Sequence, residues 1–216
     1  MSSVHQPPIR RYLLATRSRG KIREVRALVA KSGLPIEVTT PEDLRIEPDP
    51  RENEIEEFSS FRENAIAKAL YFARLSGKPT IADDSGLAVD ALKGEPGVRS
   101  KRFSGRTDLE GEELDQANIE YLLQRLEGVP DQKRNAYFAC AVALARPEGD
   151  VITTLGTVSG RITREERGSQ GFGYDPLFLI PELGKTFAEL GDDEKNRLSH
   201  RARALNALLA QIGFFR

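Results

Sequence analysis

A single cysteine, Cys140, in a chain of 216 residues excludes an internal disulfide framework. It stands inside NAYFACAVALA, an apolar run of the kind that forms a buried strand, which predicts an inert thiol rather than a nucleophile and suits a reducing compartment. Long apolar stretches are missing too, since none approaches the roughly 20 residues that a bilayer-spanning helix needs. The opening MSSVHQPPIRR lacks the apolar core of a secretory leader. Nor does charge of one sign prevail. Thirty-two basic residues nearly balance 33 acidic ones, for a formal net charge of −1, so no overall field draws the chain to nucleic acid or to a membrane surface. These absences predict a cytoplasmic protein in which any phosphate chemistry is local, with residues 1–10 as a short flexible N-terminus and residues 11–216 as one domain.

What is present is a globular composition, 39% apolar and 30% charged, sufficient for one good core or two close lobes. YLLAT, residues 12–16, reads as a short strand that stops at RSRGK, after which Ile22, Val25, Leu28 and Val29 recur at helical spacing. LPIEVTT predicts a second strand. The acidic segment PEDLRIEPDPRENEIEE carries three prolines and is expected to be a loop or an ordered excursion. FRENAIAKALYFARL, residues 61–75, is an alanine-rich helix with Ala65, Ile66, Ala69, Phe72 and Ala73 on one side, and Pro79 forces the change to a strand, TIA. GEPGVRSKRFSG reads as a loop and DQANIEYLLQRL, residues 115–126, as a helix. NAYFACAVALA and DVITTLGTVSGRIT flank the turn RPEG as paired antiparallel strands, although the alanines weaken the alternation. A glycine-rich loop, GSQGFGYDP, then runs into the strand LFLI, and DDEKNRLSHRARALNALLAQI closes the chain as helix. Early alternation of helix and strand with a later antiparallel pair predicts an α/β fold around a mixed sheet.

Four places could carry chemistry. In IADDSGLAVDAL, residues 81–92, two aspartates stand together where the strand is expected to end. Successive strand residues face opposite ways, so Asp83 and Asp84 cannot both enter one site; one is expected to work and the other to hold the turn. Taken alone, DDSG is more often simply a turn. The loop ATRSRGK sets Thr16, Ser18, Gly20 and Lys21 between strand and helix, where backbone N–H groups, a hydroxyl and an ammonium suit anionic oxygens. It lacks the Walker A spacing, and a basic loop of this kind is commonly just solvated. In GSQGFGYDP the glycines let the backbone approach a flat ligand, and Phe172 or Tyr174 could stack on a base for about 1–3 kcal/mol per contact; equally, the rings could join the core. In one straight C-terminal helix Leu198, Ala202, Leu205, Leu209 and Ile212 form the apolar stripe, His200 points away from it, and Lys195 and Arg201 lie about 120° apart. Ser199 is a good N-cap, which predicts a break that puts His200 and Arg201 in a first turn beside Lys195. The plain alternative is a solvated basic face.

Taken in order and spacing, ATRSRGKIRE, FRENAIAKA, IADDSGLAVDAL with GEPGVRS, ITREERGSQGFGYDPLF and EKNRLSHRARAL resemble the inosine triphosphate pyrophosphatase (Ham1-like) family over roughly residues 12–212. The resemblance implies hydrolysis of a nucleoside triphosphate between its α and β phosphates, with ITP, dITP and XTP favoured. It also implies Mg²⁺, an elongated mixed β-sheet flanked by helices with a central cleft between two lobes, and a homodimer. On this resemblance the metal falls to Asp84 and to Glu56, or to Glu57 in a shifted register, and Asp84 is also the position for a general base. Thr16, Ser18, Lys21, Lys68 and Ser85 would hold the triphosphate, and Phe172, Gly173, Tyr174 and Asp175 would line the base. Lys195, His200 and Arg201 would donate to the C6 oxygen of hypoxanthine or xanthine, where adenine presents an opposing amino group. One departure is local. The family's Thr-Gly-Asn is here Thr16, Arg17 and Ser18, so Arg17 needs a backbone geometry open to side chains, and could add charge of its own. Two rivals remain: a pyrophosphatase of other modified or ordinary nucleotides, and a nucleotide-binding protein without turnover.

Overall fold

The structure, a computed structural model, describes residues 8–53, 55 and 57–212. Of the expected flexible N-terminus, residues 1–7 lie outside that range, while Arg10 already belongs to a strand, paired with Ile36. β1 (Arg10–Leu14), α1 (Arg19–Lys31) and β2 (Ile36–Thr39) form a parallel strand-helix-strand unit. An excursion holding one 3-10 turn, Pro50–Asn53, leads to α2 (Phe61–Ser76), and β3 (Thr80–Val89) then lies parallel to β1 on its other side. After α3 (Gly111–Arg125) come the antiparallel β4 (Asn135–Ala145) and β5 (Val151–Ile162), the short β6 (Phe178–Ile180) and β7 (Lys185–Thr186), and the helices α4 (Asp192–Leu198) and α5 (His200–Gln211). The seven strands make one open mixed sheet in the order β2-β1-β3-β4-β5-β6-β7, flanked by helices.

The sheet is buried on both faces near its parallel end, and this resolves the weak alternation of β4. Cys140, Val142 and Leu144 face α1 and α5, together with Leu14, Ile81, Val25, Leu28, Leu205 and Leu208. Ala141, Ala143 and Ala145 face α2, meeting Ala65, Ala69 and Ala73. The strand therefore alternates large with small rather than apolar with polar, because small residues on both surfaces let a helix approach closely. A separate cluster covers the antiparallel end, where Leu87, Phe138, Val158 and Phe178 pack with Ile119 and Leu122 of α3 and with Phe187. Cys140 is the expected buried thiol, and burial, aided by the charge of Asp83, pushes it up to about 12.

Two expectations about element ends need correction. The strand expected to stop at Ala82 runs on through Asp83, Asp84 and Ser85 to Val89, because ten consecutive residues pair with β4. DDSG is thus no turn. α3 begins at Gly111, ahead of Asp115, with Glu112 and Glu113 in its first turn, where their charge favours the helix N-terminus. β1 covers β3 only through Leu13 with Thr80 and Leu14 with Ile81. Beyond Ile81 the edge of β3 passes the carboxyl end of β1, the place where open α/β sheets accept ligands.

Candidate active site

Along that edge Asp83 and Ser85 face α1 and α5, and Asp84 faces α2, so the two aspartates do point opposite ways. Asp83 was expected to hold a turn; in mid-strand it instead binds Lys21 Nζ at 3.0 Å and Arg201 Nε at 3.1 Å. Burial works against its charge, but Lys21, Arg201 and Lys68 outweigh burial and hold it well below the usual carboxylate range. Lys21 is delivered by the start of α1. Thr16 Oγ1 accepts from the Ser18 amide at 3.2 Å, and Ser18 caps the helix by accepting from the Lys21 amide at 3.5 Å. Arg17 has no positive φ, so the expected side-chain-tolerant geometry is met, and its guanidinium turns away from the edge to Glu52.

The C-terminal segment breaks where Ser199 predicts. Ser199 is extended at φ −65° and ψ 155°, ends α4, and caps α5 by accepting from the Ala202 amide at 3.2 Å. Lys195, His200 and Arg201 are only 5%, 5% and 2% exposed, which excludes the solvated basic face. The break brings Lys195 and Arg201 onto one carboxylate, Glu24 of α1: Lys195 Nζ lies 2.7 Å from Oε1 and Arg201 Nη1 binds Oε2. Lys195 also donates to Asp175 at 2.6 Å, and Arg201 Nη2 donates to Ser85 Oγ at 2.9 Å. Three cations and three carboxylates thus interlock in the order Lys21, Asp83, Arg201, Glu24, Lys195, Asp175. Burial pushes Glu24 up, yet Arg201 and Lys195 together bring it below its ordinary value. For Asp175 burial prevails and the shift is upward despite Lys195.

His200 diverges from its neighbours. Its ring stacks on Phe138, with centroids 4.7 Å apart and planes 9° from parallel. Burial first, then Arg201 and Lys195, press its pKa well below 6.5, so the imidazole is neutral. Its Nδ1 has no partner among the described residues.

The glycine-rich loop closes over this network. Asp175 Oδ2 accepts from the Phe172 amide at 2.9 Å, and Asp115 of α3 accepts from the Gly173 amide at 2.8 Å. These two carboxylates hold the Phe172 ring beneath Lys195 Nζ, 4.8 Å from the centroid, and the Arg201 guanidinium, 5.6 Å away. The ring rests on Gly20, where a Cβ would come within 2.6 Å of it, so α1 leaves room for the ring by having no side chain there. Of the two readings of its ring, the core one is what Tyr174 shows: it is buried in the antiparallel-end cluster, and its hydroxyl donates to the Ser100 carbonyl at 2.8 Å.

On the opposite face Asp84 Oδ2 accepts from Asn64 Nδ2 at 2.9 Å, and Oδ1 accepts from the Ser85 amide at 2.9 Å. Asn64 also embraces Phe58, accepting from its amide at 2.9 Å and donating to its carbonyl at 3.3 Å. Glu57 precedes Phe58 in the chain and is exposed, whereas Glu56 lies outside the described residues. Lys68, one turn along α2 from Asn64, is close enough to act on Asp83. Three members of the site escape sequence reasoning: Glu24, Asn64 and Asp115. Glu24 had a signal, an acidic residue beside the apolar stripe of α1 and one turn from Lys21. Asn64 had another, being a poor helix former inside an alanine-rich helix. For Asp115 nothing local distinguishes it from a solvated helix residue.

The arrangement sets the Lys21 ammonium at one end, beside the Thr16–Ser18 loop, and Phe172 with Lys195 and Arg201 at the other, with the Asp83 carboxylate between them. Similarity to known proteins extends along nearly the whole chain. A dITP/XTP pyrophosphatase of Geobacillus kaustophilus is 46% identical over 196 residues, 91% of each chain. One from Geobacter sulfurreducens is 46% identical over 204 residues, 94% of this chain and 97% of that one. The solved structure of a HAM1 protein from Coxiella burnetii superposes with a TM-score of 0.80 at 35% identity, covering 94% of this chain and 98% of that one. Since the sequence pattern that defines the Ham1 family matches residues 12–211, from the first core strand through the last helix, this chain belongs to the Ham1 family.

Proposed function

We propose that the protein hydrolyses deaminated purine nucleoside triphosphates, ITP, dITP and XTP, to the monophosphate and pyrophosphate, with Mg²⁺ as cofactor. The observation that carries this reading is the juxtaposition on β3: Asp83 joins Lys21, at the phosphate end, to Arg201 over Phe172, at the base end, while the adjacent Asp84 faces Asn64 on the other side of the strand. The names of the relatives at 46% identity support the substrate class. A homodimer acting on the cytoplasmic nucleotide pool completes the proposal.

The donor set suits Mg²⁺, which takes one or two carboxylates and fills its shell with phosphate oxygens and waters. Among the described residues no three acidic, histidine or cysteine side chains gather into a cage, and such a cage is not what Mg²⁺ requires. Asp84 would hold the ion, with Glu57 or Glu56 as the second carboxylate. When bound, the ion lowers the pKa of a coordinated water and offsets phosphate charge. The chain's own residues do the rest. Asp84, with Oδ2 oriented by Asn64, takes the proton of the attacking water. Lys21, Lys68, Thr16 and Ser18 meet the charge that moves onto the departing pyrophosphate. Lys195 and Arg201 each keep donor capacity beyond their bonds to Glu24, Asp175, Asp83 and Ser85, and that remainder is what a C6 oxygen can use and an adenine amino group cannot.

Pyrophosphate release measured on ITP, XTP, GTP, ATP and dUTP tests the reading. Faster turnover of ITP and XTP is expected, and Asp84→Asn is expected to lose about a hundredfold or more in kcat. Equal rates on ATP and ITP would remove the base-selection argument. Full hydrolysis by Asp84→Asn would remove the role of that carboxylate.

A further inference from the structure

Arg17 belongs to the phosphate-facing loop but reaches elsewhere. Its Nε and Nη2 donate to Glu52 at 3.0 and 2.7 Å, Nη2 also donates to the Ile46 carbonyl at 3.1 Å, and Glu42 lies 3.6 Å from Nη1. All of these partners sit in the excursion between β2 and α2, whose only regular piece among the described residues is the 3-10 turn Pro50–Asn53. Glu52 additionally accepts from the Asp49 amide at 3.3 Å, so the guanidinium grips a closed turn rather than a loose side chain. Arg17 and Glu52 side chains are 25% and 18% exposed, which makes the pair less screened than the surface pairs of this protein. At its far end the same stretch is held by Asn64, which grips Phe58 and Asp84 together. The excursion is therefore pinned at two points, one on the phosphate-facing loop and one beside Asp84, with Glu57 adjoining the second.

We propose that Arg17 is a positioning residue: its paired hydrogen bonds to Glu52 lock the acidic excursion to the Thr16–Ser18 loop, so that the carboxylates of the excursion meet the substrate at a set distance from Lys21. What the excursion meets rests on the proposed function; the tether itself does not. The bidentate fork is what a lysine cannot reproduce, so Arg17→Lys is expected to fall between wild type and Arg17→Ala.

The test combines amide hydrogen exchange of the nucleotide-free, metal-free protein with steady-state pyrophosphate release from ITP. Arg17→Ala and Glu52→Gln are each expected to speed exchange across residues 44–53 by roughly fivefold, and the double variant to add little to the larger single effect. The same variants are expected to lower kcat about tenfold while KM moves by less than about twofold, the pattern of lost alignment rather than lost binding. Arg11→Ala, which removes the exposed pair with Glu37, is expected to change neither. Unchanged exchange in Arg17→Ala would overturn the tether. Faster exchange with wild-type kcat would overturn the positioning role. A wild-type protein that released no pyrophosphate would sink the proposed function and this role with it, while exchange would still decide the tether.

Discussion

Glu24→Gln is the substitution that most directly probes the buried network. The Glu24 carboxylate lies 2.7 Å from Lys195 Nζ and also binds Arg201, and its loss as a charge would leave three cations facing two carboxylates, with both of its partners, Lys195 and Arg201, nearly inaccessible to water. Removing one partner of a buried ion pair costs about 3–5 kcal/mol, because the remaining charge stays desolvated without compensation. For a chain of this size that corresponds to a fall in Tm of roughly 6–20 °C. The reference is Glu37→Gln, which removes the pair of Glu37 with Arg11, 49% and 69% exposed, and should cost no more than about 1 kcal/mol. Both variants would be unfolded in urea at low salt and again in 1 M NaCl. Screening should erase the small Glu37 effect and leave the Glu24 deficit standing, since the Debye length in 1 M salt, about 3 Å, acts only where ions can enter. A Glu24→Gln deficit below about 1 kcal/mol, or one that salt abolishes, would show that the network is solvated and would refute the reasoning.

Other outcomes follow from the same geometry. Asn64→Ala frees both Asp84 Oδ2 and Phe58, so kcat for ITP should fall by roughly tenfold to a hundredfold with little change in KM; an unaltered kcat would mean that Asp84 is oriented without it. His200 is held neutral in the fold, below its unfolded value of 6.5. Below about pH 6.5 the unfolded chain therefore binds the additional proton, so its contribution to stability is full above that pH and falls by up to about 1.4 kcal/mol per pH unit beneath it. Urea denaturation at pH 7.5 and 5.5 should show a shallower acid loss in His200→Gln than in wild type, and parallel losses would refute the assignment.

Much of this protein is legible in its residues because the signals are local. Helical spacing places α1 and α2, and Ser199 marks the start of α5 by offering an oxygen to an orphan amide. The break at Ser199 needed only that rule, together with the observation that one straight helix could not aim Lys195 and Arg201 alike. The failures share a cause. DDSG looks like a turn only while its partner strand is unknown; ten pairings to β4, distant along the chain, keep it extended. Tyr174 looks like a stacking ring until the Ser100 carbonyl is seen to take its hydroxyl. Glu24, Asn64 and Asp115 are ordinary polar residues of amphipathic helices until packing brings Lys195 and Arg201, Asp84, or the Gly173 amide against them.

The sequence by itself determined the order of the main elements, the cap at Ser199 and the buried thiol, since each depends on neighbours a few positions apart. Only the tertiary structure decided which charge pairs with which, that Asp83 anchors while Asp84 faces Asn64, and that Arg17 turns toward Glu52. Those choices depend on the distance between chemical groups far apart along the chain, and burial makes them matter by removing the water that would otherwise satisfy each charge separately.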